Sequence, residues 1–269
     1  MNSRPVPHSN LELIGFRVEH CRPQHPYASS YLIPSAHKLI DVRQYPAFNR
    51  VAEKIRSEQR TTLGMNRLLT LWQAVRNTAA LDGIVVEIGS YRGGAAKFLA
   101  ESFRSFNAHV NIHIFDTFAG HAEIAIVGVD AGHAQSDFSD TSASAVGEYL
   151  KEFSEITLHQ GYFEDNQDHI ANERIRLMHL DVDIYRTAGN ALRFAWPRLV
   201  ENGIIVVDDY GFTSCPGLKQ AVDEFLEEVN DAQGWYIHTG QFVITKTGCR
   251  IVIERQAVSG GCNATHATD

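Results

Sequence analysis

From residue 84 onward the chain alternates short apolar runs with segments of helix length. The runs are IVVEIG (84–89), VNIHIFD (110–116), ITLHQG (156–161), IRLMHLD (175–181) and GIIVVDD (203–209). Each is too short for a buried helix and rich in β-branched residues. The stretches at 89–110 and 181–203 are long enough for a helix. Strand–helix alternation of this kind predicts a mostly parallel sheet covered by helices on both faces. Past residue 230 the stretch GWYIHTGQFVITKTGCRIVIER is β-rich with turn glycines, which predicts an antiparallel edge on that sheet. Right-handed crossovers would carry the C-terminal ends of the parallel strands to one edge.

That edge is where the acids fall. Glu87, Asp116, Asp181, Asp183, Asp208 and Asp209 all lie at or just beyond the ends of apolar runs. An isolated buried carboxylate is very costly, so positive charge is expected among them. In open α/β sheets the ligand crevice lies outside these strand ends. Within VVEIGSYRGGAAKFLA (85–100), an acid precedes Gly89, Gly93 and Gly94 and a helix follows. An ordinary βα turn accounts for such glycines as readily as a binding loop does. The dinucleotide pattern GxGxxG is absent, because Ser90 and Tyr91 follow Gly89. A pyrophosphate cofactor is therefore disfavoured, and an acid before the glycines suits a cationic ligand without phosphate. Asp116 fits the acid that accepts ribose hydroxyls in nucleoside sites; a helix N-cap is the plainer alternative. Asp181, Asp208 and Asp209 offer three oxygen ligands of the kind Mg²⁺ selects, which leaves Asp183 as a base. N-capping would account for one of these acids more easily than for four. Strand side chains alternate faces, so Asp208 and Asp209 can serve one ion only if the strand has already turned into loop.

The remaining features are plainer. Residues 1–35 are rich in Pro, His and Ser without a clear period. Residues 46–80 read as helical, with Leu68, Leu69, Leu71, Trp72 and Val75 as a core stripe and Gly83 as the stop. The expected organisation is an N-terminal arm over 1–55, serving as lid or oligomerisation segment, a catalytic domain over 56–255 and a loose tail over 256–269. A length of 269 residues and 44% apolar content allow one sizeable core. A net charge of −8 without a Lys/Arg run argues against a nucleic-acid partner. No run approaches the ~20 apolar residues of a membrane span. Cys21, Cys215, Cys249 and Cys262 form no CxxC pair, and the N-terminus lacks a signal-peptide pattern. Together these suggest reduced thiols and a cytoplasmic location. His179 reads as a packed core residue. His121 and His133 flank an acidic loop over the cleft, within reach of substrate but more simply solvated.

The stretches VVEIGSYRGGAAKFL, FDTFAG, GYFED, LDVDIYRTAGNALRFAWPRLVENGIIVVDDYG and GLKQAVDEF resemble the macrocin O-methyltransferase family. The resemblance covers residues 60–230, and LDxDxY followed by a helix and VDDY is its most specific part; the family's glycine pair stands here as Asn202–Gly203. It implies a Rossmann-like class I methyltransferase fold with a seven-stranded sheet. It also implies S-adenosylmethionine-dependent O-methylation of a sugar hydroxyl, with Mg²⁺ on Asp181, Asp208 and Asp209 and with Asp183 as general base. Glu87 and Asp116 would bind the cofactor, flanked by Gly89, Ser90, Tyr91, Gly93, Thr117 and Asp181. Gly161, Tyr162 and Phe163 would line its adenine. A carboxylate of ordinary pKa near ~4 is a weak base for a sugar hydroxyl, so the metal is expected to carry much of the effect. Where the family has a GLP-like turn after the second strand's acid, this chain has AGHAEIAIVGVDAGHAQSDF, and the first 55 residues match weakly. The lid and acceptor pocket are therefore this chain's own. A catechol or other diol acceptor, an NAD-dependent oxidoreductase and a non-catalytic binding protein are the competing readings. In the favoured reading the partner is a small-molecule glycoside or diol, and the chain is a candidate homo-oligomer.

Overall fold

The computed structural model describes residues 16–20, 30–34, 45–121 and 128–248. The tail at 256–269 and most of the arm lie outside them. The described part of the arm is not irregular: β1 (Phe16–His20) and β2 (Ser30–Pro34) pair as an antiparallel ladder.

Helices α1 (Pro46–Ser57) and α2 (Met65–Thr78) precede the sheet. Then come β3 (Ile84–Ile88), α3 (Gly94–Ser105), β4 (Ile112–Asp116), α4 (Ala143–Leu150), β5 (Ile156–Gln160), the short α5 (Phe163–Asn166) and β6 (Ile175–Leu180). Helix α6 (Tyr185–Ala195), β7 (Leu199–Val207), α7 (Pro216–Glu228), β8 (Ala232–Tyr236) and β9 (Phe242–Lys246) complete the order. The seven strands run β5-β4-β3-β6-β7-β9-β8, parallel up to β7 and antiparallel for β9 and β8. This is the expected sheet with its expected edge, and it carries the class I methyltransferase strand order.

Two boundaries differ from expectation. Helix α2 stops at Thr78; Gly83, at φ +117°, instead turns the chain into β3 against the backbone of Arg174. Strand β7 starts at Leu199, earlier than the apolar run suggests. Asn202, at φ +63°, forms a kink that shifts the register between Ile175↔Leu199 and Leu177↔Ile204.

Parity along the strands divides the core in two. Val85, Ile114, Leu177 and Val206 pack under α1, α2 and α3, where Phe48, Trp72 and Phe98 meet edge to face or tilted at 5.9–6.5 Å. Val86, Ile88, Met178, Leu180, Ile205 and Val207 pack under α6 and α7 against Leu192, Leu218 and Phe225. Burial of each large side chain contributes roughly 1.5–3 kcal/mol. No helix among the described residues is long and apolar enough to cross a membrane.

Candidate active site

On β3 and β6 the α2-facing parity that places Val85 and Leu177 in the core puts Glu87 and His179 side by side as register partners. The core there has become polar. His179, at 0% exposure, spans Glu87 Oε1 at 3.0 Å and Asp208 Oδ2 at 2.7 Å. Burial alone would lower its pKa, but the two carboxylates outweigh that and lift it to about 10. In the protonated form that the two carboxylates favour, both ring nitrogens donate. Gln241 Nε2 donates to the same Asp208 oxygen at 3.1 Å. The expectation of a packed core histidine was right about burial and wrong about chemistry.

Strand β7 ends at Val207, and Asp209 sits at φ +59°. The strand has therefore turned into loop, and the two acids reach one cation, as the sequence argument required. That cation is Arg67 of α2. Its Nη1 donates to Asp208 Oδ1 and to Asp209 Oδ1, each at 2.8 Å. Burial raises Asp208's pKa, but Arg67 and His179 outweigh it and hold the carboxyl below its usual value. Sequence reasoning missed Arg67; its one signal was a charge embedded in the apolar stripe MNRLLTLW.

The acids expected to act together fall into two groups. Asp181, Asp208 and His179 present ligand atoms within 4.8 Å of one another, as do Asp183, Asp209 and Cys215. Asp181, Asp183 and Asp209 line a cleft whose empty space, solvent mouth included, is about 890 Å³; Asp208 stands behind it, fully buried. Burial first, then Asp208 and Asp209, raises the pKa of Asp181. Burial, followed by Asp209, pushes Asp183 up to about 8. The Cys215 thiol, itself raised by burial, donates to Asp183 Oδ1 at 3.3 Å. The weak-base expectation for Asp183 is thus revised by its surroundings.

The glycine turn forms the opposite wall. Gly89 has φ +86°, and a Cβ there would stand 1.9 Å from the Asp181 carbonyl oxygen. Asp116 Oδ2 accepts from Ser90 N at 2.8 Å and Tyr91 N at 2.7 Å, while Oδ1 accepts from Phe118 N at 2.6 Å. Asp116 therefore first shapes the turn, which neither the ribose reading nor the N-cap reading foresaw; it lines the cleft with little acceptor capacity to spare. Thr117 Oγ1 likewise donates to Gly120 O at 2.7 Å. Gly93, at φ +79°, opens α3. Gly161, Tyr162 and Phe163 line the cleft beside Phe115, whose ring meets Phe163 edge to face at 5.2 Å. Ser90 is buried outside the lining, with Oγ lacking a hydrogen bond; Glu87 also stays outside, and its Oε2 is buried without a partner. Glu87 thus meets the histidine first through Oε1, with Oε2 left over.

His121 and His133 are not solvated. His121 lines the cleft, its Nε2 buried and 4.0 Å from Asp183 Oδ2, and its ring stands 5.5 Å from that of His133. Burial, then His133, lowers His121 to about 4.

Comparison with known proteins bears on this arrangement. The family model described as macrocin-O-methyltransferase (TylF) matches residues 34–233. The chain is 28% identical over 200 residues to mycinamicin III 3''-O-methyltransferase of Micromonospora griseorubida, covering 62% of this chain and 70% of that one. It is 25% identical over 192 residues to demethyldecarbamoylnovobiocin O-methyltransferase of Streptomyces niveus, covering 64% and 72%. The solved structure of the O-methyltransferase NovP shares the fold at a TM-score of 0.62 and 23% identity, covering 70% of this chain and 82% of that one. With the match spanning the sheet core and the strand order agreeing, the chain belongs to the macrocin O-methyltransferase family of O-methyltransferases.

Proposed function

We propose that this protein transfers a methyl group from S-adenosylmethionine to a hydroxyl of a sugar carried by a small-molecule natural product, with Mg²⁺ as its metal. The acceptor class rests on the named relatives, which act on mycinamicin III and on demethyldecarbamoylnovobiocin. The observation that carries the chemistry is Asp183, a cleft-lining carboxyl raised to about 8 beside Asp181 and Asp209.

Both cationic partners fit the residues present. Glu87 Oε2 is a buried acceptor oxygen without a partner next to the glycine turn, suited to the cationic methionine end of the cofactor. The carboxylate oxygens of Asp181, Asp208 and Asp209 are of the kind a hard ion selects; Asp181 and Asp208 gather with His179, and Asp209 gathers with Asp183 and Cys215. Arg67 already stands in as a cation on two of these acids. Asp116, Gly89, Ser90, Tyr91, Gly93 and Thr117 shape the cofactor's wall, and Gly161, Tyr162 and Phe163 its adenine slot. When bound, S-adenosylmethionine supplies the methyl group and Mg²⁺ supplies Lewis-acid stabilisation of a developing alkoxide.

The chain's own chemistry centres on Asp183. Its Oδ1 accepts from Cys215 and a side-chain hydrogen bond joins it to Asp209; its carboxylate is placed in the cleft to take the acceptor's proton. A base matched to ambient pH transfers protons most effectively. Asp183→Asn is expected to lower kcat by about 10²–10⁴ while S-adenosylhomocysteine affinity, measured by calorimetry, changes little. Wild-type turnover by Asp183→Asn would refute the assignment. An acceptor screen that yields methylated catechols and no methylated glycosides would move the substrate class to aromatic diols.

A further inference from the structure

The paired acids at 208 and 209 raise a question that the metal assignment leaves open, namely what balances their charge before a metal arrives. We propose that Arg67 is the resident cation of this pair, and that a divalent ion must compete with it for the same two oxygens. The inference rests on the metal reading above.

The hydrogen bonds leave little choice of oxygen. Asp208 is fully buried, and its Oδ2 already accepts from His179 at 2.7 Å and from Gln241 at 3.1 Å. Only Oδ1 remains for a further cation, and Arg67 Nη1 holds it at 2.8 Å. The same nitrogen holds Asp209 Oδ1 at 2.8 Å. Mg²⁺ takes carboxylate oxygens at about 2.0–2.1 Å, so a metal on these two atoms and a guanidinium on the same two atoms are neighbours of like charge. A buried site screens that repulsion poorly. The two partners also differ in mobility. Asp208 is enclosed and fixed through His179 to Glu87, whereas the Arg67 side chain is 15% exposed and rises from the first turn of α2. The arginine side chain is partly open to solvent and the acid is closed off from it. Arg67 thus holds the pair aimed in the metal-free protein, and it sets a threshold for metal binding. Its role is positioning, with no contact to the reacting atoms.

The test is titration of Mn²⁺, followed by calorimetry, into wild-type protein and into Arg67→Met, which keeps the length and removes the charge. S-adenosylhomocysteine binding serves as the check on folding. Arg67→Met is expected to bind Mn²⁺ at least tenfold more tightly. It should also melt lower than wild type in EDTA and recover when Mn²⁺ is added. Equal or weaker Mn²⁺ affinity in Arg67→Met, with wild type still binding the ion, overturns the proposal and spares the metal reading. Failure of both proteins to bind Mn²⁺ while both bind S-adenosylhomocysteine overturns the metal reading and the proposal with it. Should Arg67→Met not fold, the guanidinium proton signals of ¹⁵N-arginine-labelled wild type decide. Protection at Arg67 that is lost on Mg²⁺ saturation supports displacement, and protection that persists with Mg²⁺ bound refutes it.

Discussion

Single side chains decide the charge of this site. His179 sits between two carboxylates, one from β3 and one just past the end of β7, 92 and 29 residues away in sequence. An apolar run such as IRLMHLD announces that the histidine is buried, but nothing local announces its partners. Removing one member of a buried ionic row leaves its neighbours as uncompensated charges, which typically costs about 3–5 kcal/mol. His179→Ala is accordingly expected to lose that much stability in urea denaturation of the metal-free protein. A loss under about 1 kcal/mol would mean that the row is not ionic. Asp183 shows the converse. Its identity as an acid near a base position was legible, but its strength was not, because burial and Asp209 set it.

At the scale of elements, the turn from β3 into α3 is the most constrained piece. Gly89 permits the strand to end directly against the backbone of Asp181, so one residue links the glycine-turn wall of the cleft to the acid cluster. A side chain there would require φ +86° and a 1.9 Å approach to a carbonyl oxygen. Gly89→Ala is expected to abolish measurable S-adenosylhomocysteine binding and to destabilise the fold by at least ~1–3 kcal/mol. Gly147, inside α4 with nothing within 4 Å of where a methyl group would stand, provides the control. Gly147→Ala should stabilise by about 0.5–1 kcal/mol and leave binding unchanged. Equal behaviour of the two variants would show that the turn's geometry is not what matters. The segment after Gly128 is tied to the same turn. Asp140 accepts from Tyr91 at 2.7 Å and Arg92 at 2.6 Å, and Asp130 accepts from the Tyr185 N–H at 2.8 Å.

For the whole molecule, these shifts add up to a pH dependence of one sign above neutrality. His179 titrates at about 10 in the fold against ~6.5 unfolded. Its stabilisation is complete below ~6.5 and is lost as pH rises toward 10. Asp183, at about 8 in the fold against ~3.9 unfolded, makes stability fall as pH rises from ~4 to 8, after which its contribution is level. The metal-free, cofactor-free protein should therefore melt at progressively lower temperature between pH 7 and 9.5. Asp183→Asn should flatten the lower part of that fall. A melting temperature that stays level or rises over this range would contradict the assigned protonation states.

Residue order alone dictated the alternation of strands and helices, the parallel sheet with its antiparallel edge and the gathering of six acids at strand ends. Those features follow from periodicity and chain direction, which are local properties. The partner of each acid was settled by the folded chain. Arg67 lies 141 residues from Asp208, and Gln241 a further 33 on the other side. Asp116 is spent largely on the β3–α3 turn, and His121 is folded in beside Asp183. Electrostatic pairing acts over a few ångströms in space regardless of separation along the chain. It therefore becomes readable only once the crossovers have brought the strand ends to one edge.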